Sequence, residues 1–273
     1  MTEPKTPNIL KSEHWDRIAP YDYPSYLSRL KSVAKSKSLR LQTLGILEDT
    51  SEILLVETQL ERQGIPRILV AAGFHGEECG GVWGILHFLE RTPVSVLKRL
   101  HLSCLPVVNP TGFSRGERHN IWGESQNTGF CHVKPGEQGP SKEGKLLVAH
   151  RDMLIYRAEC GFLSLHEDIE QSGYYLYTFE RSSQPGSFTQ RLKSTESLYF
   201  RPIPDGVYDG ACVNDGLAYC HCDGSFEDYL FHNGVIRTAC TETPGTANLS
   251  IRVTANAALI EAFAAFTLSE SRL

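Results

Sequence analysis

Apolar runs that each end in a turn signal, with helical spacing between them, constrain this chain more than any other feature. IPRILVAAG (65–73), LHLSCLPVV (100–108), GFLSLH (161–166), YYLYTFE (174–180) and VIRTACTE (235–242) have the length and β-branched or aromatic content of buried strands. LRLQTLGIL (39–47) and EILLVETQ (52–59) flank the acidic turn 48–51 and read as an antiparallel pair. Residues 78–90, 143–157 and the Ala-rich 254–268 carry helical periodicity. Strands alternating with helices predict an α/β fold: a single-domain three-layer sandwich with a mixed, mostly parallel, twisted central sheet, helices on both faces and antiparallel strands at one edge. No repeat or linker divides residues 1–273, and segment 1–38 is expected to pack on the same domain. The least regular stretches, 112–139 and 181–216, read as long loops of the functional kind.

Composition narrows the partners. A net charge of -5 with no dense Lys/Arg run argues against nucleic acid or an anionic membrane, leaving small molecules as partners. No uninterrupted apolar stretch of about 18 residues and no signal-like N-terminus are evident, so a soluble, cytoplasmic protein is expected. In that setting the eight cysteines read as free thiols. Cys220-His221-Cys222 lacks a second pair at structural-zinc spacing and is read the same way.

In open α/β sheets, sites form beyond the carboxyl ends of the strands. Those ends deliver His75 and Glu78, Asn109, His166 and Glu242, residues scattered in sequence that such a sheet brings together. His75 and Glu78 stand three apart across the turn opening a helix, a spacing at which an imidazole and a carboxylate reach one cation. His166 from a distant strand completes a His2Glu set with a fourth position open to water, the pattern of a catalytic zinc. Taken singly, each is also an ordinary strand-end or capping residue.

These residues sit in FHGEE, NPTGF (109–113), RHNIWGESQN (118–127), LHED (165–168) and ETPG (242–245), in the order found in zinc metallocarboxypeptidases of the carboxypeptidase A type. The chain resembles their compact bacterial, murein peptide amidase-like members and, more distantly, succinylglutamate desuccinylase and aspartoacylase. The resemblance implies one Zn2+ per chain held by His75, Glu78 and His166, leaving Glu77 a solvated neighbour. It implies Glu242 as the general base that takes a proton from the attacking water and returns one to the leaving amine. It further implies Arg118 as the fork that holds the developing oxyanion, Asn127 as a ligand of the substrate carboxylate, and Tyr219 as the mobile tyrosine of the substrate site.

One position departs from the pattern. Where the family has an arginine after that asparagine, this chain has Thr128, which offers no bidentate clamp for a carboxylate. Either Arg115, Arg151 or Arg157 reaches in, or ordinary C-termini are not the substrate. The expected activity is therefore metal-dependent hydrolysis of an amide bond in short or unusual peptides, with cell-wall peptides among the candidates. The alternative is deacylation of an N-acyl amino acid, and a binding module without catalysis is disfavoured by the presence of Glu242. Substrate selection is expected from 222–229, with Phe226 an apolar contact and Glu227 or Asp228 a partner for a cation.

Overall fold

The computed structural model describes residues 15–59, 64–133 and 138–271, so residues 1–14 of the N-terminal segment lie outside the described residues. The chain runs through a short 3-10 turn (Trp15–Arg17) into α1 (Tyr23–Lys37), β1 (Leu39–Ile46), β2 (Glu52–Thr58), β3 (Arg67–Ala72), α2 (Cys79–Arg91), α3 (Val94–Leu97), β4 (His101–Leu105) and α4 (Pro110–Phe113). It continues through α5 (Lys142–Ala149), α6 (Arg151–Arg157), β5 (Phe162–Asp168), β6 (Tyr175–Glu180) and α7 (Ser187–Glu196). The last elements are β7 (Gly206–Tyr208), β8 (Ala211–Val213), β9 (Leu217–Tyr219), α8 (Phe226–His232), β10 (Arg237–Pro244) and α9 (Leu249–Glu270).

Eight strands form one sheet in the order β1-β2-β4-β3-β5-β10-β6-β9. Its centre, β4-β3-β5-β10, is parallel. Antiparallel pairings flank it on both sides, β1-β2-β4 on one and β10-β6 on the other, rather than at one edge only. Strand β6 leaves the end of β5 and returns beside β10, which forces the reversal. In β3, side chains alternate between two cores: Ile68, Val70 and Ala72 face one, Leu69 and Ala71 the other. A strand covered on both faces must be apolar throughout, which is why RILVAA reads as an unbroken run.

Helices α1, α2, α7 and α9 cover the first face, α5, α6 and α8 the second. Helix α9 is longer than its sequence pattern suggested and is apolar enough, by length and composition alone, to cross a membrane. It packs instead on α2 and α7, burying Leu259, Ile260 and Phe263, each worth about 1.5–3 kcal/mol of transfer free energy. Gly84 lets α2 and α9 approach, since a Cβ there would lie 2.5 Å from that of Asn256. The helical stretch 143–157 is broken at His150 into α5 and α6. From the N-terminal segment, the Tyr26 hydroxyl donates to the Val82 carbonyl and Arg29 pairs with Glu90 at 2.7 Å.

The 181–216 stretch is not an irregular loop, because it contains α7 and the β7-β8 hairpin. The last residue of α7, Glu196, is fully buried; its Oε1 accepts from Thr243 Oγ1 at 3.1 Å, and its Oε2 has no hydrogen-bond partner. Burial, offset in part by the Thr243 hydroxyl, pushes this carboxyl up to about 8. Between the ordinary carboxyl range and pH 8 the folded state therefore holds a proton that the unfolded state has released, and stability falls as pH rises through that window. Glu196→Gln is expected to flatten this decline and to gain on the order of a few kcal/mol at pH 8 but little at pH 5. Urea melts at the two pH values check it, and parallel pH slopes for variant and wild type would refute it.

Candidate metal centre and cleft

The loop after β3 turns through Gly73 (φ +65°) and carries Phe74, His75, Gly76, Glu77 and Glu78 into the start of α2. Only glycine fits at position 76: a Cβ there would lie 2.0 Å from the Gly112 carbonyl carbon and 2.3 Å from the Phe113 nitrogen. Asn109 holds the opposing loop. Its Oδ1 caps α4 by accepting from Gly112 N at 2.8 Å, and its Nδ2 donates to the Arg118 carbonyl at 3.3 Å. Asn109 is thus a scaffold for Arg118, whose carbonyl also accepts from Gly76 N.

Within the sheet, Glu242 of β10 is in register with His166 of β5, so the two project from adjacent strands on one face. The His166 ring stacks on Phe74 at 5.5 Å. His75 Nδ1 lies 2.6 Å from Glu78 Oε1, and His166 Nδ1 lies 2.9 Å from Glu78 Oε2. All three residues are buried and their ligand atoms lie within 4.8 Å of one another. Glu78 Oε2 has no hydrogen-bond partner in good geometry although His166 Nδ1 lies 2.9 Å away, so the two face each other at close range without a well-aligned bond. Two nitrogens and a carboxylate so placed fit a divalent metal of the zinc kind, with a further position facing the cleft.

Electrostatics point the same way. Burial pulls the His166 imidazole down, but the carboxylates of Glu78, Glu242 and Glu227 outweigh it and push the ring up to about 9. Burial raises the Glu78 carboxyl, yet the two imidazoles hold it well below the usual range. Glu242 is pushed up to about 8, by burial first and then by Glu78 and Asp168 against the pull of His166. This is a place that calls for positive charge.

His75 and Glu78 open onto a cleft of about 260 Å³ lined also by Glu77, Arg118, Glu167, Asp168, Glu170, Tyr175, Asp209 and Glu242; His166 is not among its lining residues. Arg118 Nη1 sits 3.2 Å from Glu77 Oε1 and 3.4 Å from Glu78 Oε1, with nearly half of its side chain exposed. Glu77 is therefore the anchor of Arg118, not merely a solvated neighbour, and the Tyr21 hydroxyl donates to its carbonyl at 2.9 Å.

Two sequence-predicted residues are placed differently. Asn127 spends its amide on protein partners: Oδ1 accepts from Phe226 N at 2.9 Å, and Nδ2 donates to Glu227 Oε2 at 3.0 Å and lies 3.3 Å from His166 Nε2. The Tyr219 hydroxyl donates to the Ser182 carbonyl at 2.9 Å and is not among the residues lining the cleft. The tyrosine that does line it is Tyr175, opposite Glu242 across the β6-β10 pair, whose hydroxyl donates to Asp168 at 2.9 Å. Its signal was the alternation of YYLYTFE, had that strand been paired with the Glu242 strand.

None of the arginines considered as a substitute clamp reaches the cleft. Arg115 pairs with Glu117, Arg151 with Asp152, and Arg157 with the buried Glu57 at 2.6 Å. Thr128 is exposed. Among the described residues, Arg118 is the arginine of this cleft.

No family model and no curated protein matches the sequence. Solved structures do. A Shewanella baltica protein assigned as a metallopeptidase is 39% identical, with 90% of this chain and 93% of that one covered and a TM-score of 0.85. A counterpart from Shewanella denitrificans is 36% identical, covering 90% and 91%, with a TM-score of 0.84. The chain belongs to this metallopeptidase family. The carboxypeptidase A of Helicoverpa armigera, at 14% identity, covers 95% of this metallopeptidase and 76% of its own chain with a TM-score of 0.67, so the fold is that of the zinc carboxypeptidases. A metal is implied by this kinship, and among the described residues His75, Glu78 and His166 form a buried group with donors suited to hold it, two of them lining the cleft.

Proposed function

We propose that this metallopeptidase is a zinc-dependent, carboxypeptidase-type amide hydrolase acting on short peptides that present a positive charge to the cleft. His75, Glu78 and His166 would hold the zinc, which when bound would supply Lewis acidity for the scissile carbonyl and the attacking water. The chain's own groups do the rest. Glu242 takes up and returns the proton, standing beside His166 in the sheet register and lining the cleft. Arg118, fixed by Glu77, offers its guanidinium to the carbonyl oxygen as charge develops there. Asn127 and Glu227, on the far side of His166, keep that ring's Nδ1 turned to Glu78.

The observation that carries the substrate reading is the charge of the cleft. With Glu77 on Arg118, Glu167 on Arg252 and Glu78 given to the metal, Asp168, Glu170, Asp209 and Glu242 are the acids left to face a substrate. An N-acyl amino acid is anionic and would enter against that field, whereas an amine-bearing peptide, such as a cell-wall peptide containing a diamino acid, is drawn in by it. With no second arginine among the described residues of the cleft to grip a terminal carboxylate, a substrate held through its amine fits better than one held through its C-terminus. The cysteines are free, which supports the cytoplasmic setting expected from the sequence.

A panel of ordinary peptides, γ-glutamyl peptides containing diaminopimelate, and N-acyl amino acids, read by mass spectrometry with and without a chelator, tests the proposal. Chelator-sensitive cleavage is expected to favour the amine-bearing peptides by at least tenfold. Cleavage confined to N-acyl amino acids would replace this reading with the deacylase one.

A further inference from the structure

A second group of metal-binding side chains lies outside the cleft: His132, Cys222, Asp228 and His232 offer ligand atoms that all lie within 4.8 Å of one another. Three separate pieces of chain supply them, the 129–133 loop, the loop before α8, and α8 itself. We propose that these four residues form a second zinc-type site that fastens the two loops together.

Geometry carries the proposal. Asp228 is fully buried, while His132, Cys222 and His232 reach it from the solvent side. Its Oδ2 accepts from Gly224 N at 2.9 Å and lies 3.4 Å from His132 Nε2. Its Oδ1 lies 2.7 Å from His232 Nδ1 yet takes no hydrogen bond. His232 Nδ1 is instead in hydrogen-bonding geometry, at 3.0 Å, with the Asp228 carbonyl. A buried carboxylate oxygen crowded by an imidazole nitrogen, without a well-aligned bond between them, is the arrangement seen at Glu78 and His166 in the first site. The two imidazole rings meet edge to face at 5.1 Å, and His132 is held at a left-handed φ of +58°, a conformation a histidine adopts at a cost.

The donor set is two imidazoles, a thiol and a carboxylate. At zinc bond lengths, four such atoms round one ion stand roughly 3.3–3.8 Å apart, within reach of small rotations of the exposed side chains. An Asp-His pair on a surface is common as a simple ion pair. A thiol and a second imidazole brought to the same carboxylate from separate loops are what an ion pair does not need. Four protein ligands would close the site, which marks it as structural rather than catalytic. The Phe130 N–H already donates to the Gly224 carbonyl at 2.9 Å, so a metal here would reinforce an existing loop contact. Asn127, two residues before the 129–133 loop, and Glu227 of α8 flank His166, so the second site adjoins the first.

The test is stoichiometry. Chelator-stripped protein is reloaded with excess zinc, gel-filtered and weighed by native mass spectrometry. Wild type is expected to retain two zinc ions, the His132→Ala/His232→Ala double variant one, and His75→Ala one. Asp228 is left intact because its burial makes any change there a folding risk. Cobalt-loaded protein is expected to show a near-ultraviolet thiolate-to-metal band that Cys222→Ser abolishes. A single retained zinc in wild type, an unchanged count in the double variant, or a cobalt spectrum indifferent to Cys222→Ser would each overturn the proposal.

Discussion

The Glu242→Gln variant is expected to lose hydrolysis by on the order of a hundredfold or more while keeping its metal and its fold. The reason is that the other carboxylates of the cleft are already engaged or exposed. Asp168 accepts from the Tyr175 hydroxyl and from the backbone of residues 170 and 171. Glu167 is paired with Arg252 at 2.7 Å and takes the Gly80 N–H, and Glu77 holds Arg118. Glu242, in register with His166, has only a long contact from Cys240 Sγ at 3.5 Å. Glutamine keeps the shape and removes the proton-accepting oxygen. Turnover of the best peptide in the panel, beside metal content and circular dichroism, decides the matter. A variant as active as wild type would require another base.

His166→Ala should have an effect of similar size on a different observable. Changing an outer partner of a metal ligand costs about 10–100-fold in affinity, and removing a ligand costs more. Zinc affinity of the cleft site, measured by competition with a chromophoric chelator, is therefore expected to fall by on the order of a hundredfold or more. At fixed free zinc, each tenfold loss also removes about 1.4 kcal/mol of metal-linked stability. The fall in melting temperature should shrink when wild type and variant are compared in excess chelator. It should not vanish, because Glu78, Glu227 and Glu242 then share a buried region without the imidazole that balances them. An unchanged affinity would remove His166 from the ligand set.

Much of this was legible in the sequence for one physical reason. Buried parallel strands are apolar along their whole length, so their ends are sharp, and polar residues just past those ends stand out. His75, Glu78, His166 and Glu242 were found that way, and the sheet register then brings the last two side by side. Elements with mixed patterns were harder to read. Helix α7 buries only Phe188, Thr189, Leu192 and Glu196, too few apolar residues for its period to rise above the surrounding loop. Helix α8 lies in a stretch read for substrate selection and not as a helix; Ser225 caps it, its hydroxyl accepting from Asp228 N at 3.4 Å. Tyr219 came from likeness to the family alone, whereas Tyr175, which lines the cleft, has no signal until β6 is paired with β10. The His132, Cys222, Asp228 and His232 group had no signal at all in C-x-C spacing, since its members meet only after two loops have folded against α8.

The acidic lining of the cleft bears on departure as well as entry. Any amide cut there leaves one product with a new carboxylate, formed among Glu77, Asp168, Glu170 and Asp209. Like charges at such range repel, so the field that draws an amine in also drives the acid product out. Turnover then depends on ionic strength at both ends of the cycle, with slower capture and slower release as salt rises; a fall confined to kcat/KM marks capture, and a fall in kcat marks release, as the limiting step.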